Sequence, residues 1–172
     1  MMPIRTDRLI LREPTLDDAP CYALGVGEYE VARFLTPVPY PYSLAMAIDW
    51  LRQARPATPE QSLLIIDLPG KGLIGCVSLL SELGFWIARP HWNRGYITEA
   101  ATAVLDWHFA GCDRDLVLAS AHHDNVASLA VQKKLGFVPT RREMRFSQTR
   151  QHNVEHVISA LSRQDWQMRR AA

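Results

Sequence analysis

Three apolar runs follow one another between Leu63 and Ile87, and their spacing restricts the fold more than any other feature of the chain. They are Leu63 to Asp67, Leu73 to Leu80 and Leu83 to Ile87. Pro69-Gly70-Lys71-Gly72 joins the first two, and Ser81-Glu82 joins the second to the third. Connections this short allow only antiparallel neighbours, because a parallel pair needs a crossover of a dozen or more residues. The middle of the chain is therefore a three-stranded meander.

The flanking segments set the class. Arg8 to Glu13 alternates as a strand does. Leu16 to Leu24 reads as a helix capped by Thr15, and Glu28 to Phe34 as a short helix. Pro37, Pro39 and Pro41 forbid a continuing helix and make an extended loop, after which Ser43 opens a helix to about Ala54. Beyond the meander, Thr98 to Phe109 reads as a helix and Leu116 to Ala121 as a strand covered on both faces. Asn125 to Leu135 is a helix stopped by Gly136, and Phe137 to Arg142 and Val154 to Leu161 are the last strands. The order predicts a mixed α/β sheet with a central β-α-β-α-β unit, in one domain over residues 1–172.

Composition narrows the function classes. Nineteen basic residues face eighteen acidic ones, a net charge of +1, which is too balanced for a protein that binds nucleic acid by neutralising phosphates. No apolar stretch approaches the roughly 18 residues of a membrane span. Arg5, Asp7 and Arg8 stand where an export signal would need an apolar core, so a cytoplasmic protein is expected. Cys21, Cys76 and Cys112 are odd in number and in no metal-ligand pattern, and they read as reduced, buried small hydrophobes with no metal. Arg163, Arg169 and Arg170 read as a solvated tail.

One stretch points to chemistry. After the third meander strand and Pro90, the sequence Trp92-Asn93-Arg94-Gly95-Tyr96-Ile97-Thr98-Glu99-Ala100 passes straight into a helix. A helix start leaves backbone N–H groups unpaired and carries partial positive charge. Gly95 lets the loop turn tightly enough to bring those groups onto a phosphate, and Arg94 adds a cation. The same residues also fit an ordinary strand-to-helix connection, and Glu99 in the first turn would oppose an anion. A second helix start, Asp124-Asn125-Val126-Ala127-Ser128, is by itself an N-cap.

Taken in order, these pieces resemble the GNAT acetyltransferase superfamily, and within it the Rim-type branch that acetylates N-terminal amines of ribosomal proteins. The matching segments are Thr6-Asp7-Arg8-Leu9-Ile10-Leu11-Arg12, Asp17-Asp18-Ala19, Leu73-Ile74-Gly75, Leu83-Gly84-Phe85-Trp86-Ile87, Trp92 to Ala100, Asn125-Val126-Ala127-Ser128 and Lys134-Leu135-Gly136-Phe137. The resemblance implies a mostly antiparallel mixed sheet, flanked by helices, with a central parallel pair that splays apart. Acetyl-CoA would lie in the splay. Phe85, Trp86 and Ile87 would pair with its pantetheine arm, and the loop from Trp92 and Asn93 through Arg94, Gly95, Tyr96, Ile97 and Thr98 would hold its pyrophosphate. Asn125 and Ser128 would line the far wall, with Ser128 as proton donor or hydrogen-bond donor to the leaving thiolate; the same serine also fits a simple cap of its own helix start.

Two positions depart from the family pattern. Ile97 stands where a small residue is usual, and Gln132 where many relatives carry a tyrosine acid. For the general base, Glu82 acting through water comes first, then His122 or His123. Tyr40 and Tyr42 on the proline loop would wall the acceptor amine. The resemblance implies a monomer or homodimer and transfer to a primary amine by direct attack. A domain that binds acyl-CoA without catalysis is the alternative.

Overall fold

The computed structural model describes residues 2–171. The strands are β1 (Ile4–Arg5), β2 (Ile10–Arg12), β3 (Ser62–Leu68), β4 (Gly72–Leu79), β5 (Leu83–Ile87), β6 (Leu116–His122), β7 (Val138–Ser147) and β8 (His152–Ser162). The helices are α1 (Ala19–Gly27), α2 (Tyr29–Ala32), α3 (Leu44–Arg52), α4 (Tyr96–Gly111), α5 (Val126–Leu135) and α6 (Arg163–Ala171). The eight strands form one sheet in the order β1-β2-β3-β4-β5-β6-β8-β7.

Every neighbouring pair is antiparallel except β5 and β6, which meet in parallel at one register position, Leu83 opposite Ala119. On its other side β5 pairs with β4 along its whole length, from Leu83 to Ile87. So β5 and β6 part immediately after Leu83, and the rest of β5 has a free edge. This is the splayed central pair that the resemblance implies.

Both faces of the sheet are covered, and the strand residues alternate between two cores. Leu64, Ile66 and Val77 join α4 through Val104 and Leu105, together with Leu135 of α5 and Trp166 of α6. Leu63, Ile65, Cys76 and Trp86 join Tyr22 and Val26 of α1 and Leu51 of α3.

Several boundaries differ from the sequence reading. The first helix is split into a 3-10 turn over Leu16–Asp18 and α1. Pro20 has no N–H to continue the turn, so α1 starts afresh around it. The strand β7 runs on to Ser147, well past Arg142, as an exposed edge whose charged residues discourage further pairing. The C-terminal arginines sit on a docked helix, where Arg169 and Arg170 are exposed as expected and Arg163 is half-buried. They lie on α6, whose Trp166 is buried and donates from its indole to Asp106 at 3.0 Å. Arg163 donates to the carbonyls of Phe109, Cys112 and Arg114 at the end of α4 and just beyond it. Arg169 caps Lys134 O at 2.5 Å, and Arg170 pairs with Asp106 at 2.9 Å. Trp166 is the signal that was there to be read, since a solvated tail has no use for a tryptophan.

Candidate functional site

A cavity of about 900 Å³ opens in the splay. Its walls include Phe85, Trp86 and Ile87 of β5, the loop Trp92 to Thr98, and Asn125 and Ser128 at the start of α5. It continues over Thr36 to Pro39, Tyr42 and the exposed face of α3. The sequence-predicted cofactor residues therefore share one space, although they come from three separate segments.

The loop before α4 has the geometry of an anion cradle. Asn93 sits at φ 59° and Gly95 at φ 77°, both left-handed, and Gly95 is the N-cap of α4. Two such turns in three residues aim successive N–H groups to one side. The first turn of α4 adds N–H groups with no partner inside the helix. Ile97 does not intrude. Its side chain is 8% exposed and packs in the α4 core, so only its backbone faces the cradle.

The acidic residue in that first turn is neutralised from outside. The Glu99 carboxylate accepts from Thr6 Oγ1 at 2.6 Å, from Arg8 N at 2.9 Å and from Arg8 Nε at 2.7 Å. Burial alone would raise Glu99, but these hydrogen bonds and the Arg8 charge outweigh it and hold the carboxyl below its usual value. Arg8 also donates to Arg94 O at 2.9 Å and lies 4.6 Å over the Tyr96 ring. The N-terminal segment thus latches the loop from behind. Sequence reading missed Arg8 as a part of the site, though it lies within a motif quoted for the resemblance.

On β5 the expected free edge is partly engaged. Ile87 O accepts from the Trp92 indole at 2.8 Å, which ties the loop to the strand and takes one pantetheine partner away. The Trp86 side chain points to the opposite core, edge-on to Tyr22 at 5.1 Å, so Trp86 offers only its backbone to the splay.

At α5 the roles of Asn125 and Ser128 separate. Asn125 Oδ1 accepts from Ser128 N at 3.1 Å and caps the helix. Ser128 lines the cavity, and its hydroxyl has no partner among the described residues. Gln132 is 2% exposed, and among the described residues neither its amide nitrogen nor its oxygen has a partner.

Both candidate bases stand one hydroxyl behind the wall. Glu82 is not on the cavity surface; it pairs with Arg145 at 2.6 Å and accepts from the hydroxyl of Ser120, which is on that surface. Burial pushes its carboxyl up, but the hydrogen bonds from Arg145 and Ser120 prevail and hold it below the ordinary value. His122 is 1% exposed and meets Thr36 Oγ1 through Nε2 at 3.1 Å. Thr36 meets His156 Nε2 at 2.7 Å on its other side. Burial, then the nearby His156 and Arg150, push His122 down to about 4. His122 is therefore enclosed and hydrogen-bonded to Thr36 behind the cavity wall, where the sequence reading expected a base at the splay. His123 is exposed and is not on the cavity wall.

The acceptor side corrects one residue and adds others. Tyr42 lines the cavity, but Tyr40 lies outside it, edge-on to Tyr29 at 5.2 Å. The proline loop is fastened to the β7–β8 hairpin: Gln148 N donates to Thr36 O at 3.0 Å and Thr149 Oγ1 to Val38 O at 2.7 Å. Cys76 touches the cavity, but burial pushes its thiol up to about 12, which leaves it unionised and a poor nucleophile. Among the described residues no group of three potential ligands could hold a metal, and no helix is long and apolar enough to cross a membrane.

Comparison with known proteins agrees with this geometry. Residues 8–138 match the family model described as Acetyltransferase (GNAT) domain. The N-acetyltransferase YoaA of Bacillus subtilis, itself uncharacterized, is 28% identical over 149 residues, 80% of this chain and 84% of its own. YdaF of the same organism, named for ribosomal N-acetylation, is 28% identical over 95 residues, 52% of each chain. A GNAT-family acetyltransferase from Bacillus anthracis superposes with a TM-score of 0.82 at 18% identity, covering 95% of this chain and 99% of its own. The Microcin C7 self immunity acetyltransferase MccE, solved with acetyl-CoA and AMP, gives 0.74 at 14% identity over 91% and 93% of the chains.

Proposed function

This chain belongs to the GNAT acetyltransferase family, and on that premise we propose that it moves an acetyl group from acetyl-CoA to the nitrogen of a primary amine by direct attack. The observation that carries the reading is the splay itself: a free β5 edge, an anion cradle and an unpartnered Ser128 hydroxyl open into one cavity.

The roles follow from position. The cradle from Asn93 to Thr98 holds the pyrophosphate through backbone N–H groups, and Arg94 contributes charge. The β5 edge aligns the pantetheine arm as an added strand would. One of its N–H groups stabilises the thioester oxygen as the amine attacks and negative charge grows there. The nitrogen bonds to the acetyl carbon, the carbon–sulfur bond breaks, and the Ser128 hydroxyl donates a hydrogen bond to the leaving thiolate, which takes its proton from solvent. No acyl-enzyme forms, because Cys76 is held as a thiol.

The amine's own proton leaves after attack, when the nitrogen is a far stronger acid than the free ammonium. Ser120 accepts it while passing its hydroxyl proton to Glu82, so a carboxylate held low still serves. Neither Glu82 nor His122 is tuned upward to deprotonate a lysine, which is neutral only ~0.04% of the time at pH 7. An α-amine, ~15–20% neutral, needs no such base, and a peptide N-terminus or small α-amine is the acceptor this site suits.

The test is thermal unfolding with excess acetyl-CoA, with NADH and ATP as controls, followed by free-thiol release with amines. At about 100-fold over the dissociation constant the gain is ~2.7 kcal/mol, or roughly 5–11 °C for a domain of this size. No shift at millimolar acetyl-CoA overturns the reading. A shift with no thiol release from any amine would establish the alternative, a domain that binds acyl-CoA without catalysis.

A further inference from the structure

We infer that the acceptor is an amine carrying a bulky apolar group close to its nitrogen, seated in the arm of the cavity between the proline loop, α3 and the end of β4. The inference rests on the transfer reading above, and it goes beyond it by naming the chemistry of the acceptor.

The lining of this arm is the first argument. Phe34, Tyr42, Met46, Trp50 and Leu80 all face it. Three of these are large apolar side chains left substantially exposed: Met46 at 40%, Trp50 at 37% and Leu80 at 40%. Single exposed apolar residues are ordinary, but three along one groove, next to a site of chemistry, mark a surface kept for an apolar ligand. Ser43 caps α3 through Met46 N at 3.2 Å, and Ala47 and Leu51 anchor the helix in the second core. The same helix turns Met46 and Trp50 outward, four residues apart on one face.

Charge is the second argument. A polyamine or a basic peptide would need unpaired carboxylates for its further cations. Of the residues facing this arm only Glu30 and Asp49 are acidic, and each already has a cation beside it: Arg33 at 3.2 Å and Arg52 at 3.5 Å. Glu82 is taken by Arg145. A second ammonium would find no unpaired carboxylate in the groove and would have to displace an arginine.

The experiment measures free-thiol release from acetyl-CoA with L-phenylalaninamide, glycinamide and spermidine, for wild type and Trp50→Ala, with calorimetry of phenylalaninamide binding alongside. Wild type is expected to favour phenylalaninamide over glycinamide in kcat/KM by at least about tenfold, since a single methylene in an apolar pocket is worth about 10- to 200-fold. Trp50→Ala, at an exposed position, should shrink that ratio several-fold. A preference for spermidine or glycinamide, or a ratio that Trp50→Ala leaves intact, overturns the inference and keeps the transfer reading. If no amine releases thiol while phenylalaninamide binds wild type and not Trp50→Ala, the groove assignment stands and the transfer reading falls. No release and no binding overturns both.

Discussion

The two walls of the cavity are built in opposite ways. The cofactor wall comes from short contiguous segments, β5 with its following loop and the first turn of α5, and it offers mostly backbone. The acceptor wall gathers side chains from α2, the proline loop, α3 and the end of β4, and its loop is fastened by residues more than a hundred positions away, such as Thr149 on Val38. A backbone cradle needs a particular chain path and little side-chain identity. A side-chain groove needs particular residues and is free to change with the substrate. The first wall should therefore fail through conformation and charge, and the second through shape.

The sharpest way to break the cofactor wall is Gly95→Asp. It forces an L side chain into φ 77°, with its Cβ 3.5 Å from Arg8 Nη2, so the new carboxylate competes with Glu99 for the cation that latches the loop. Backbone strain of about 1–3 kcal/mol adds to the loss of that latch, so acetyl-CoA affinity should fall at least about a hundredfold. The stabilisation by acetyl-CoA should vanish from a thermal melt; a retained shift would mean that the phosphate sits elsewhere.

Next in size is Arg8→Ala. It removes the cation that holds Glu99 and the Arg94 carbonyl, while leaving every cradle residue in place. Hydrogen bonds to charged groups contribute about 1.5–3 kcal/mol, so the KM for acetyl-CoA should rise about ten- to a hundredfold with kcat nearly kept. Arg8→Lys should restore part of the loss. A matched fall in kcat with no change in KM would show that Arg8 serves the fold and not the loop.

The same contrast explains what could be read from the chain. The meander and the cradle were legible because their signals are local: short turns, one glycine, a helix start. The motif placed Ser128 at the start of α5 on the cavity wall, but its free hydroxyl was not legible, since that depends on Asn125 taking the cap. Glu82 could be placed at the start of β5, yet its ion pair comes from Arg145, sixty-three residues on, in a part of β7 beyond the strand predicted from sequence. Tyr40 and Tyr42 stood two apart on one loop, and no sequence pattern says which of them a proline-rich turn sends outward. Met46 and Trp50 were missed because helical spacing identifies the buried face of α3 and says nothing of what the other face meets.

The smallest expected effect sharpens the acceptor side. His122, Thr36 and His156 form a buried chain that holds the proline loop from below, with ring centroids of the two histidines 4.4 Å apart. His122 is held at about 4 in the folded protein against an ordinary 6.5, so between those values the unfolded chain binds more protons than the folded one. Stability from this group is complete above pH 6.5 and is lost as pH falls towards 4. His156 is also held low, by burial first, and acts in the same direction. His122→Phe keeps the packing against Phe34 and removes one titration, so the melting temperature should fall less steeply between pH 6.5 and 4 than in wild type. Turnover at pH 7.5 should stay within about threefold if the enclosed ring only holds the loop, since removing a general base costs about 10²–10⁴. A hundredfold loss there, with the melting curve unchanged, would return His122 to the chemistry and make the acceptor wall a catalytic surface as well as a shape.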